Sequence, residues 1–145
     1  MKTRIHISLE VQDLEKSVEF YSKVFGIDPT KLKEDYANFR LEEPQLHLAL
    51  NVNDRAETAF RTNQHFGVEL FSEQELNSWF KKIQATGINA ETEEDTTCCY
   101  AVADKFWLTD PDSHKWEFWY RKYDVEHASE SSVSNHCGTH NSKCC

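Results

Sequence analysis

An α+β fold of two βαβββ modules, pairing into a curled mixed sheet around a cavity, is the architecture this sequence predicts. Three observations carry it. Ile5, Ile7, Leu9 and Val11 alternate with His6, Ser8 and Glu10, and Phe66, Val68 and Leu70 alternate with His65, Gly67 and Glu69, so two strands of one pattern open two halves of the chain. Each is followed by a helical stripe that stops at a glycine, Gly26 before Ile27 and Gly87 before Ile88. His6 and His65 stand at the same point of the two patterns, each opposite the apolar row of its strand.

After the first strand, Asp13 is placed to cap a helix in which Leu14, Val18, Tyr21 and Phe25 recur at helical spacing. Residues 31–36, 38–42 and 45–51 then read as strands; Pro44 marks a turn, and Leu46, Leu48 and Leu50 alternate with His47, Ala49 and Asn51. The polar stretch 53–63 reads as a linker between modules of about 1–52 and 64–122. In the second module Ser72 and Glu75 make a capping box, and Leu76, Trp79 or Phe80, and Ile83 form the helical stripe. Strands over 89–93, 100–109 and 115–121 follow, the last two joined by the turn signature Asp110-Pro111-Asp112-Ser113. Residues 123–145, rich in Ser, His, Asn, Glu and Cys, are expected to form a disordered tail outside the domain of residues 1–122.

The 145 residues suit one domain, and 39% hydrophobic content with nine Phe, five Tyr and four Trp supports a packed core. A net charge of -9, from 25 acidic against 16 basic residues, argues against nucleic acid or an anionic membrane as partner and points to a small ligand. No apolar run approaches the roughly 18 residues of a spanning helix, and the first ten residues alternate as a strand, so a cytoplasmic location is expected. The odd number of cysteines, five, at 98, 99, 137, 144 and 145, favours reduced reactive thiols over a disulfide framework.

Chemistry concentrates on few positions. Glu117, flanked by Trp116 and Phe118 on the last strand, shares with His6 and His65 a place opposite an apolar row. If the two modules curl toward each other, two imidazoles and one carboxylate line one cavity as a facial triad, which suits non-haem iron(II) with open positions for dioxygen and substrate. Cys98 and Cys99 are adjacent soft ligands fit for trivalent arsenic or a d10 metal. Neighbouring side chains of a strand point to opposite faces, so the pair is expected on a loop; Lys105 is close enough in sequence to help a thiol ionise. His47 reads as a neighbour of the triad or a surface residue, and His114 as exposed in its turn. His127, His136 and His140 lie with Cys137, Cys144 and Cys145 in the tail, where floppiness makes a weak metal site.

The doubled layout with His6, His65 and Glu117 on its first, fifth and eighth strands resembles the vicinal oxygen chelate superfamily of glyoxalases, extradiol dioxygenases and fosfomycin or bleomycin resistance proteins. Thr97-Cys98-Cys99-Tyr100-Ala101, with Asp104-Lys105, Trp107-Leu108-Thr109-Asp110-Pro111-Asp112 and Trp116-Glu117 after it, is similar to one branch, the iron(II)-dependent organoarsenical carbon–arsenic lyases. The likeness covers about residues 1–122. It implies metal binding by His6, His65 and Glu117, and capture of a trivalent organoarsenical, methyl or aromatic, by Cys98 and Cys99. The implied reaction is dioxygen-dependent cleavage of the carbon–arsenic bond to arsenite, a detoxification step. Relatives of this branch have also been described as cadmium-induced, so a thiolate store for arsenic or cadmium is the rival reading; homodimer formation stays open. A glyoxalase reaction is the second rival, opposed by the absence of a carboxylate at His47, Ala49 or Asn51. The turn departs from the family in one place, where Ser113 stands for the usual glycine.

Overall fold

The structure is a computed structural model, and it describes residues 3–54, 64–98 and 101–124. The element order is β1 (Ile5–Val11), α1 (Leu14–Phe25), β2 (Lys31–Leu32), β3 (Tyr36–Leu41), β4 (Leu46–Val52), β5 (Phe66–Leu70), α2 (Glu73–Ala85), β6 (Glu91–Cys98), β7 (Ala101–Thr109) and β8 (Lys115–Asp124). This is βαβββ twice, as the alternation and the two helical stripes predict. The strands divide into two four-stranded sheets of matching order, β1-β4-β3-β2 and β5-β8-β7-β6. In each, the first strand of the module runs parallel to the last, β1 beside β4 and β5 beside β8, and the other pairings are antiparallel. Both sheets are therefore mixed.

Three strand ends lie three or more residues from expectation, and the other differences are of one or two residues. The strand expected over 31–36 is only Lys31–Leu32, because Lys33 to Asp35 turn the chain into β3. β6 was expected to end at Glu93 and runs on to Cys98, while β8 continues to Asp124. Both longer strands carry a register shift, between Glu93 and Thr96 on β6 and opposite Val102 and Ala103 for β8. An extra residue in a strand breaks the strict alternation on which boundary reading depends. Most of the expected linker, and the expected tail from residue 125, lie outside the described residues.

The helices start and stop where their caps dictate. The Asp13 carboxylate accepts from the Lys16 amide, and Gly26 takes the left-handed conformation, φ 69°, that lets its amide bond to the Ser22 carbonyl. Ser72 Oγ accepts from the Glu75 amide at 3.2 Å, and Glu75 returns a carboxylate oxygen to Ser72 Oγ and to the Phe71 amide. α1 covers Leu46, Leu48 and Leu50, while α2 lays Leu76, Trp79 and Ile83 on the side of β8 that carries Phe118. Phe106 and Phe118 stack across β7 and β8 with centroids 4.9 Å apart. Along β1 burial rises toward the C-terminal end: Val11 is fully buried and Ile5 is 68% exposed.

A buried polar clasp joins the modules. Asp110 and Asp112, in the turn between β7 and β8, are both almost fully buried. Tyr21 Oη of α1 donates to Asp110 Oδ2 at 2.7 Å and accepts from Trp116 Nε1 at 3.1 Å. Asp112 accepts from the Gln12 amide at 2.9 Å and from Ser17 Oγ at 3.2 Å. His114, expected to be exposed, instead sits against Asp110 with Nδ1 2.8 Å from Oδ2. Ser113 takes the left-handed conformation that its place in the turn requires, φ 72°. Asp110 Oδ1 accepts from the amides of Asp112 and His114 on either side and holds it there.

Candidate metal and thiol site

The candidate groups are divided between the two sheets. On the second sheet, Gly67 of β5 lies opposite Glu117 of β8, and Trp107 of β7 lies opposite Glu117 on its other side. His65 immediately precedes β5. Its Nε2 is 3.3 Å from Glu117 Oε2, and its ring meets Trp107 edge to face at 4.9 Å. Glu117 Oε1 accepts a charge-assisted hydrogen bond from Lys105 Nζ at 2.7 Å. Lys105 is 8% exposed and lies 5.5 Å from the Trp107 ring centre. Its burial is tolerable because Glu117 and the aromatic face supply the negative partners that water would.

On the first sheet, register places His6 of β1 opposite His47 of β4, and their rings stack 4.6 Å apart at 19°. His47 Nε2 is buried and has no hydrogen-bond partner among the described residues. Burial holds the His47 pKa below the ordinary histidine value, and the charges of His6, Arg40 and Arg4 lower it further. His47 is therefore a neutral imidazole near neutral pH. Its place beside His6 agrees with the neighbouring position that its alternation with Leu46 and Leu48 suggested.

Of the three expected metal ligands, the structure brings His65 and Glu117 together and keeps His6 beside His47. Among the described residues, no group of three or more His, Cys, Asp or Glu is placed to hold a metal ion. His65 and Glu117 nonetheless fit adjacent positions on one ion. Bonds of about 2.1 Å separate neighbouring ligand atoms by about 3.0–3.4 Å, which matches the distance between their facing atoms. The nitrogen and oxygen donor set suits a borderline divalent metal such as iron(II).

The Cys98 position lies at the far end of the same sheet. Cys98 is the last residue of β6 and pairs with Ala101, the first of β7. The backbone of Cys98 is thus strand, contrary to the loop expected for both cysteines, because the shifted register lets β6 continue past Thr96 and Thr97. Cys99, like Cys137, Cys144 and Cys145 and the three tail histidines, lies outside the described residues. Sequence reasoning missed the pairing of Lys105 with Glu117. The signal was present in their positions on β7 and β8, two strands joined by a tight turn.

The family model described as Glyoxalase/Bleomycin resistance protein/Dioxygenase superfamily matches residues 4–118. The chain is 46% identical over 132 residues to a probable trivalent organoarsenical cleaving enzyme of Bacillus subtilis strain 168, covering 90% of this chain and 88% of the relative. It is 44% identical over 143 residues to a trivalent organoarsenical cleaving enzyme of Bacillus sp. strain MD1, covering 97% and 81%. A glyoxalase/bleomycin resistance protein/dioxygenase structure from Alicyclobacillus acidocaldarius superposes with a TM-score of 0.70 at 18% identity, over 83% of this chain and 92% of that one, a likeness of fold alone. No helix among the described residues is long and apolar enough to cross a membrane.

Proposed function

This chain belongs to the Glyoxalase/Bleomycin resistance protein/Dioxygenase superfamily, and from that premise we propose that it cleaves the carbon–arsenic bond of trivalent organoarsenicals to release arsenite. Two relatives that bear that activity in their names support the reading over nearly the whole chain. What supports it in the structure is that His65 and Glu117 meet on the same sheet whose strand β6 ends at Cys98.

The proposed roles follow from the chemistry of each group. Cys98 and Cys99 hold arsenic(III) as a dithiolate, since thiolates are the protein's soft ligands. Pentavalent arsenicals, with hard oxygen ligands, bind only after reduction. His65, Glu117 and His6 hold iron(II), which supplies open positions for dioxygen when bound. Lys105 occupies one Glu117 oxygen and so orients the other toward His65. Trp107 packs against His65 and Lys105 and keeps water from their inner side. For methylarsenite the balance is simple: one dioxygen and one methylarsenite give one arsenite and one formaldehyde, with the carbon oxidised and both oxygen atoms accounted for.

Separate ligand sets make the reading testable. His65→Ala and Glu117→Ala should lose iron(II) binding and turnover yet bind a trivalent arsenical like the parent protein. Cys98→Ser should keep iron(II) and lose the arsenical. Full iron occupancy and full rate in either of the first two variants would show the ligand assignment to be wrong.

A further inference from the structure

The register shifts on either side of β7 meet at one point. On β6, Glu93 pairs with Lys105 and Thr96 with Ala103, so Glu94 and Asp95 together face the single residue Asp104. On β8, Arg121 pairs with Ala103 and Tyr123 with Val102, so Lys122 is the extra residue. Both strands that flank β7 thus bulge within one residue of Asp104. Asp95 adopts the left-handed conformation, φ 50°, and its amide donates to Asp104 Oδ1 at 2.8 Å. Lys122 Nζ closes the group, 2.7 Å from Asp95 Oδ1 and 2.8 Å from Asp104 Oδ1.

This ion cluster stands between two parts of the sheet. On one side lie Lys105, Trp107 and Glu117; on the other, Thr96–Cys98 and their partners Ala101–Ala103, the arm that ends at the thiol position. A bulge bends its strand and adds local twist. It also sets register, and a slip of one residue would turn every side chain of the arm to the opposite face of the sheet. Lys122 places a cation between the Asp95 and Asp104 carboxylates and so offsets their mutual repulsion at the bend.

We propose that Lys122 is a positioning residue for arsenical capture: bridging Asp95 and Asp104 at coincident bulges, it fixes the angle and register of the β6–β7 arm that carries Cys98. The inference rests on the reading of Cys98 and Cys99 as the arsenical ligands. The role is geometric, because Lys122 lies on β8 and β7 stands between it and the β6 strand that ends at Cys98.

The test uses the full chain with Cys137, Cys144 and Cys145 changed to Ser, free of iron and of oxygen, so that binding is read without turnover. Phenylarsine oxide is the probe, and tryptophan quenching reports its affinity. Lys122→Met is expected to weaken binding about tenfold, with iron(II) affinity unchanged, whereas Lys122→Arg should recover most of the loss. Asp95→Asn removes one ion pair while keeping a residue that accepts the left-handed conformation, and should give an intermediate loss even if Lys122→Met folds poorly. Unchanged affinity in Asp95→Asn and in folded Lys122→Met would overturn the proposal, as would equal losses of arsenical and iron(II) binding, which mark a general loss of structure. Cys98→Ser separates the two claims: if it binds the probe like the parent, the thiol reading itself fails, whatever Lys122 does.

Discussion

Glu117 divides its two oxygens between two partners. Lys105 takes one at 2.7 Å and His65 stands 3.3 Å from the other, so the carboxylate offers a metal one oxygen at a fixed angle. Residues that orient a ligand through a hydrogen bond typically influence metal affinity about 10- to 100-fold. Lys105→Met should therefore weaken iron(II) binding by about tenfold, measured by anaerobic titration, with phenylarsine oxide affinity retained. Iron(II) affinity equal to the parent's would mean that Lys105 only neutralises Glu117. A similar economy operates in the clasp, where Asp110 is satisfied by one phenol, two amides and one imidazole.

Elements meet through that clasp, which ties α1 of the first module to the β7–β8 turn of the second. Tyr21→Phe removes the donor to Asp110 and the acceptor of Trp116 Nε1, two buried hydrogen bonds, and should cost about 1–3 kcal/mol in chemical denaturation. A loss below about 0.5 kcal/mol would mean that the two groups find other partners. Burial, followed by the Asp110 charge, holds the Tyr21 pKa well above the ordinary phenol value of 10.0. The folded chain keeps this proton at a pH where the unfolded chain has lost it. Its contribution is thus complete below about pH 10 and declines as pH rises further. Tyr21→Phe should flatten that alkaline decline, and an unchanged slope would assign the decline to other groups. Much of this layer was legible in the sequence. Asp13, Gly26 and the Ser72–Glu75 pair marked both helices, and the alternation of Ile7, Leu9 and Val11 marked β1. The bulges were not legible, because Glu93 to Thr97 is polar throughout and carries no alternation for an extra residue to interrupt. His114 was misplaced for a related reason: a turn signature fixes the backbone path but not the buried carboxylate that captures the ring.

At the scale of the whole molecule, two modules of one pattern give unlike partners to matching positions. The repeat made His6 and His65 conspicuous, yet one stacks on His47 and the other meets Glu117, a difference written only in their cross-strand partners. Pairing across strands depends on register, which the sequence expresses weakly. Residues 125–145 carry three further cysteines in a sequence rich in Ser, His and Asn. Tethered thiols can raise the local concentration of arsenic(III), but they cannot supply the geometry of a bond-breaking step. Truncation after Asp124 should leave the saturated rate close to the parent's and weaken turnover only at low arsenical; loss of the saturated rate would place the tail in the active site. The most direct measurement of the central claim is product speciation after the iron(II)-loaded protein meets methylarsenite with and without dioxygen. Arsenite and formaldehyde in equal amounts, formed only with dioxygen, are the expected result. Tight arsenical binding with no arsenite in either condition, the behaviour of a thiolate store, would contradict it.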